Sequence, residues 1–249
     1  MISLNRFTID KHKLMALDRE EQALLILSGH ALNLLGIWIN LANLSAHHQS
    51  PSALEDKLCA ARTHIILRTL YGSLAETWEW LKRPASQQLI GQKYLDRMPE
   101  EARLAWAELK RSFGSSGMLH ALRNNFAFHY PKSDQIEAAV KGVPDAEDWS
   151  WYAAKENTNS FYLSCELVIG YGAFGMADKP TDLENLNHVL QVAIKVVNDL
   201  NTFLGCLMAT SMRAHFPEVQ PGEHIRVHGA PAAASFTLPF FLDEELVPA

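Results

Sequence analysis

Cysteine is scarce in this chain of 249 residues, with 3 in all, at Cys59, Cys165 and Cys206. They lie far apart, are odd in number and form no Cys-x-x-Cys pair, which argues against a disulfide framework and for a reducing compartment. Each reads as a small buried hydrophobe. Charge is thin too, at 20% of residues against 48% apolar. That composition supplies a packed core and excludes a wholly disordered chain. The length fits one large domain, or one domain with a sizeable insertion. Residues 22–54 contain no Lys, Arg, Asp or Glu at all. Ser28, His30, Asn33, Asn40 and Asn43 recur through that stretch, however. A lipid-facing helix would leave such groups unsatisfied, whereas a bundle interior can pair them, so a core helix is expected rather than a membrane span. The opening residues, MISLNRF, lack a basic patch ahead of an apolar run, and no signal peptide is expected. The expectation is a soluble, cytoplasmic protein.

Other signatures are missing as well. There is no Walker A loop, no serine nucleophile elbow and no Cys–His protease pattern. Gly170, Gly172 and Gly175 have Gly-x-Gly-x-x-Gly spacing, but without the β-α-β context that gives the pattern meaning. His224 and His228 have helical ligand spacing, yet the residues between them are partly β-branched and no Cys or carboxylate beside them completes a zinc set. His47 and His48 fall in a polar turn and read as solvated. Neither a metal nor a cofactor is expected.

What is present is a strong helical pattern. In residues 18–44, Leu24, Leu27, Ala31, Leu34, Trp38 and Leu41 step by three and four, with Asp18, Glu20 and Glu21 as an acidic start. Residues 52–82 carry Leu54, Leu58, Ala61 and Ile65, then Leu67, Leu70, Leu74, Trp78 and Leu81, until Pro84 stops the run. Joined by a short polar turn, the two read as an antiparallel hairpin of helices. Residues 85–98 read as irregular, with room for a short turn of helix. Helices are expected over 99–113, opened by Pro99, over 118–129, and in a short amphipathic stretch at 133–141. A last one, over 181–215, carries Leu183, Leu186, Leu190, Ile194, Val197, Leu204 and Leu207.

Between them the period changes. Trp149, Trp151 and Tyr152, then Phe161 and Tyr162 ahead of Val168 and Ile169, are aromatic or β-branched around a polar centre. That pattern predicts an inserted β-hairpin at about 148–170, with a glycine-rich loop after it. The six tryptophans, Trp38, Trp78, Trp80, Trp106, Trp149 and Trp151, read as core packing rather than a platform for stacked bases. The expected organisation is one helical domain over 1–216 and a proline- and alanine-rich tail over 217–249, packed on the domain or partly extended.

The net charge of −6 opposes non-specific binding to nucleic acid. Its distribution is uneven: residues 57–132 hold 12 basic and 6 acidic side chains, and residues 133–249 hold 6 and 16. The middle third is a basic region that could attract a polyanion locally.

The most informative segment lies there, Met118-Leu-His-Ala-Leu-Arg-Asn-Asn-Phe-Ala-Phe-His-Tyr-Pro131. On a helix, Leu119, Leu122, Phe126 and His129 fall on one stripe, and Arg123 borders it. Pro131 forces the helix to end nearby, so His129 stands in the last turn, where the dipole favours an imidazolium. An arginine beside an apolar stripe is costly to desolvate unless paired.

Arg123, polar Asn124 and, five positions after Arg123's neighbour, His129 resemble the signature of the HEPN superfamily (higher eukaryotes and prokaryotes nucleotide-binding). The resemblance implies a mainly α fold, a HEPN-like antiparallel helical bundle, here carrying the inserted β-hairpin. It also implies a metal-independent endoribonuclease, as a toxin or antiphage effector, with Arg123, Asn124 and His129 as its catalytic residues. RNA cleavage by the ribose 2′-hydroxyl needs a base, an acid, and positive charge on the phosphorane. His129 can move the proton, Arg123 can hold phosphate oxygens through two donors, and Asn124 can orient either group. One chain supplies one such histidine, so a homodimer with a composite site is the coupled expectation. RNA and an antitoxin protein are the expected partners. The alternative is a non-catalytic HEPN-like module that binds nucleotide or protein.

Overall fold

In the computed structural model, residues 2–46, 52–114, 130–155, 159–174, 182–219, 222 and 224–229 are described. Strand β1 (Ile2–Asn5) leads into a short helix α1 (Lys11–Met15), whose N-cap Asp10 accepts from the His12 N–H at 2.8 Å. Such a cap satisfies a donor that every helix start leaves orphaned. Two long helices follow, α2 (Arg19–Ala46) and α3 (Ala53–Leu81), within two residues of their expected bounds. Both open on acidic pairs, Glu20 with Glu21 and Glu55 with Asp56, which suit the positive end of the helix dipole. The Ser52 hydroxyl accepts the Glu55 N–H at 3.1 Å and caps α3.

Pro84 stands at the start of α4 (Pro84–Leu89), where its missing N–H costs nothing. The region expected to be irregular is helical almost throughout: α4 runs on into a π turn (Ile90–Tyr94) and a 3-10 turn (Leu95–Arg97). Ile90, Tyr94 and Met98 recur every fourth residue and all are buried, so tertiary packing holds a turn that local polarity does not advertise. Helix α5 (Glu100–Ser112) follows Pro99 as expected. Then come α6 (Ser133–Gly142), α7 (Leu163–Phe174), α8 (Asp182–His215) and strand β2 (His224–Val227). The helix expected over 118–129 lies outside the described residues. The chain is mainly α, as its periodicity indicated.

The inserted β-hairpin is corrected. Tyr152 and Phe161 do exchange two backbone hydrogen bonds, at 2.7 and 2.6 Å, but they form a single antiparallel bridge, and α7 begins two residues later. Leu163, Ser164 and Val168 bury one stripe of α7, with Leu167 and Tyr171 packed partly against neighbours. That 3–4 spacing beats the β propensity of Val168 and Ile169. The expected glycine loop begins inside this helix: a Cβ built on Gly170 would lie 3.2 Å from His64 Nδ1 on α3, a tight contact that the ring would have to yield to. The sheet found among the described residues is β1 with β2, Ile2 opposite Val227 and Asn5 opposite His224.

The chain forms two compact units. The first comprises Met1–Ile37, Ser73–Leu119 and Val192–Pro231. Its core stacks Trp106 on Phe203 with ring centres 4.6 Å apart, while Trp78 lies 5.5 Å from Trp106 and 5.2 Å from Phe113. On α2 the buried residues include Glu21, Leu24, Leu25, Ser28, Ala31, Leu35 and Ser45, which leaves Leu27 at the surface and turns the expected stripe slightly. His30 and Asn33 meet solvent beside Ile26 and Ile37, so they are not paired inside a bundle as the sequence suggested. Among the described residues, Arg19–Ser45 and Leu190–His215 are by length and composition long and apolar enough to cross a membrane.

The second unit comprises Trp38–Gly72, His120–Gln191 and Ala232–Ala249. There Leu58 and Ala61 of α3 pack with Phe161 and Leu163, joined by Tyr152 and Leu167. Ala139 and Val143 pack with Val168 of α7, beside Ile136 and Tyr171.

Candidate functional site

Arg123, Asn124 and His129 all lie outside the described residues. Tyr130, directly after His129, has a fully exposed side chain. After Pro131, the Lys132 N–H donates to Gln135 Oε1 at 2.8 Å and starts α6. Tyr130, Pro131 and Lys132 are themselves non-helical.

Two constellations of titratable side chains stand among the described residues, one in each unit. The first is built on Glu21, in the opening turn of α2 and only 5% exposed. Lys93 Nζ approaches Glu21 Oε1 at 2.8 Å, the Tyr94 hydroxyl donates to the same oxygen at 3.2 Å, and His215 Nε2 lies 3.4 Å from it. Tyr94 Oη and His215 Nε2 are 2.9 Å apart. Lys93 and Tyr94 come from the π turn, which places adjacent residues on one carboxylate, and His215 closes α8. Burial alone would raise the Glu21 carboxyl, but the Lys93 hydrogen bond, the nearby His215 and the Lys93 charge hold it below its ordinary value. Burial pushes the Tyr94 phenol up. A buried carboxylate is tolerated only when paired in this way.

The second lies in the second unit and encloses a cavity of about 190 Å³. Its walls are Lys57, Ala60, Ala61 and His64 of α3, Leu163, Glu166 and Leu167 of α7, and Glu147 with Asp148 from the segment before α7. Lys57 Nζ pairs with Asp148 Oδ2 at 2.7 Å, and Arg68 pairs with Glu166. The Ser150 N–H and the Tyr152 hydroxyl also donate to Asp148, at 3.0 and 3.3 Å. The Lys57 and Ser150 donors hold Asp148 far below the usual carboxylate range. His64 is pushed down to about 4, first by burial and then by the Arg68 charge, so its ring is neutral near pH 7.

In the segment before α7, Trp151 is 65% exposed and Trp149 44%, which corrects the core role expected of them. Trp151 is held by a 2.6 Å hydrogen bond from Nε1 to Ser164 Oγ and by an edge-on contact with Tyr162 at 5.6 Å. An indole N–H finds its partner here without leaving the surface.

Much of the basic middle third is neutralised locally. Lys57, Arg68, Lys82, Lys93 and Arg111 each pair with a carboxylate, and Lys110 lies over the Trp106 ring at 5.7 Å. Arg83, Arg97 and Arg103 make no ion pair among the described residues. No group of three or more metal-ligating side chains stands among the described residues. His224 and His228 fall on and just after β2, and His224 Nδ1 lies 3.1 Å from Asn5 Oδ1.

Neither constellation was read from the sequence. By sequence alone Glu21 reads as a helix-start residue and His215 as the end of a helix. Only the apolar setting of Tyr94, at four-residue spacing from Ile90 and Met98, hinted that its hydroxyl needs a buried partner. No protein-family model, curated protein or solved structure matches this chain.

Proposed function

We propose that this protein is a HEPN-like, metal-independent endoribonuclease, acting in the cytoplasm as a toxin or antiphage effector. The observation that carries the reading is the sequence Arg123-Asn124 followed by His129 ahead of Pro131, in a chain whose described part is mainly helical. The exposed ring of Tyr130 follows directly on the motif and offers a face on which a base can stack.

The chemistry needs no metal. A base removes the ribose 2′-hydroxyl proton, the 2′ oxygen attacks phosphorus, and the P–O5′ bond breaks as an acid protonates the leaving oxygen. A 2′,3′-cyclic phosphate and a 5′-hydroxyl result. Arg123 stabilises charge on the phosphorane, and His129 serves one of the two proton transfers. The second transfer requires another histidine, which a two-fold partner supplies, so the site is composite in a homodimer. An antitoxin protein that covers this site is the corresponding partner.

A soluble state fits the pairing within α8: Lys195, inside the apolar span, bonds Glu108 at 2.6 Å and Asp199 at 2.9 Å. A lipid-facing helix would not carry such groups cheaply. The nucleotide-binding alternative gains nothing from the cavity in the second unit. About 190 Å³ is below the usual range for nucleotide-sized ligands, and three carboxylates on its walls oppose phosphate.

The test is product chemistry. Single-stranded RNA incubated with the protein in excess EDTA should yield 2′,3′-cyclic phosphate ends, and a 2′-deoxy substitution at the cleaved position should block the cut. RNA retained intact would favour the binding module instead.

A further inference from the structure

The cavity between α3 and α7 has a composition that selects for charge. Ala60, Ala61, Leu163 and Leu167 give it apolar walls, and its remaining lining is Lys57, His64, Glu147, Asp148 and Glu166. The charges do not cancel. Lys57 is committed to Asp148, and Arg68 to Glu166. Glu147 has no ion pair among the described residues, and it is exposed at the rim. Lys57 also feels the Glu147 charge, so three carboxylates face two cations, Lys57 and Arg68, and a net single negative charge stands at the mouth of an apolar hollow.

We propose that this cavity binds a small organic cation, a primary ammonium on a compact apolar body, with the ammonium at Glu147 and the body against Ala60, Ala61, Leu163 and Leu167. Size supports the assignment: a dry apolar cavity of about 150 Å³ accommodates a benzene ring, so this one admits a ring with one added carbon and nitrogen. Sign supports it too. His64 is neutral near pH 7 and adds no opposing charge, while Lys57 and Asp148 pair off and leave the exposed Glu147 to make the rim anionic. This site is independent of Arg123 and His129.

The experiment titrates the full chain with benzylamine, benzyl alcohol and benzoate at neutral pH, followed by ligand-observed and amide NMR. The expected order is benzylamine tightest, benzyl alcohol weaker, and benzoate weakest by at least about tenfold. Glu147→Gln, at an exposed position, should weaken benzylamine by about two- to fivefold, the range for a rim charge pair. Ala60→Leu, also at an exposed wall position, should abolish binding of both amine and alcohol. Benzoate binding as tightly as benzylamine, benzylamine binding that neither substitution weakens, or no binding by any probe would each overturn the proposal.

Discussion

The Tyr94 hydroxyl lies 2.9 Å from His215 Nε2 and reaches the Glu21 carboxylate at 3.2 Å, so one phenol joins a helix start to a helix end. Because Glu21 is buried, its oxygens depend on these partners and on Lys93. Tyr94→Phe keeps the ring but removes the link, and should lower unfolding stability by about 1–3 kcal/mol. Urea denaturation of the two proteins measures the difference.

The same carboxylate makes stability depend on pH. Glu21 is held below its ordinary 4.5, so its contribution is complete above that value and is lost as pH falls through the lower folded one. Wild type should therefore lose stability below about pH 4.5, and Glu21→Gln should lose less over that window, starting from a lower plateau at neutral pH. Denaturant midpoints at a series of pH values test this.

His64 sets a second, higher window. Its folded value is about 4 against an ordinary 6.5, so the unfolded chain binds the proton first. Stability is complete above about pH 6.5 and declines toward pH 4, by on the order of 2–3 kcal/mol. The direct check is the His64 ring titration by NMR, with a midpoint near 4. A midpoint at 6.5 would remove the effect.

Glycine substitutions separate the two faces of this fold. A Cβ at Gly36, on the exposed side of α2, meets nothing within 4 Å, so Gly36→Ala should stabilise by about 0.5–1 kcal/mol through helix propensity. At Gly170 the new carbon would press on the His64 ring, which α3 and α7 confine, so Gly170→Ala should lose that gain and shift the His64 titration. Thermal melts and the same NMR titration read both.

The long helices were legible because their apolar residues repeat at three and four over many turns, and Pro84 and Pro99 mark boundaries that local sterics impose. The bounds of α2, α3, α5 and α8 followed. Residues 161–170 misled because aromatic and β-branched side chains favour strands locally, while Leu163, Ser164 and Val168 pay attention to a neighbour far along the chain. Gly170 looked like a loop residue and is instead the point where α7 meets His64. The Glu21 cluster and the cavity were invisible for a related reason. Their members are separated by up to 194 positions, as Glu21 and His215 are, and no spacing rule connects them.

The composite-site reading also fixes an assembly state. Light scattering of the purified chain should give a mass twice that of the 27.9 kDa protomer. A monomer that still cleaves RNA would remove the need for a second histidine.

The most direct measurement is the cleavage rate of a labelled single-stranded RNA in excess EDTA by wild type, Arg123→Ala and His129→Ala. The account predicts cleavage by wild type and a loss of about a hundredfold or more in each variant, the scale of a missing proton-transfer or charge-stabilising group. Cleavage that persists in both variants, or wild-type protein that leaves the RNA intact, would contradict it.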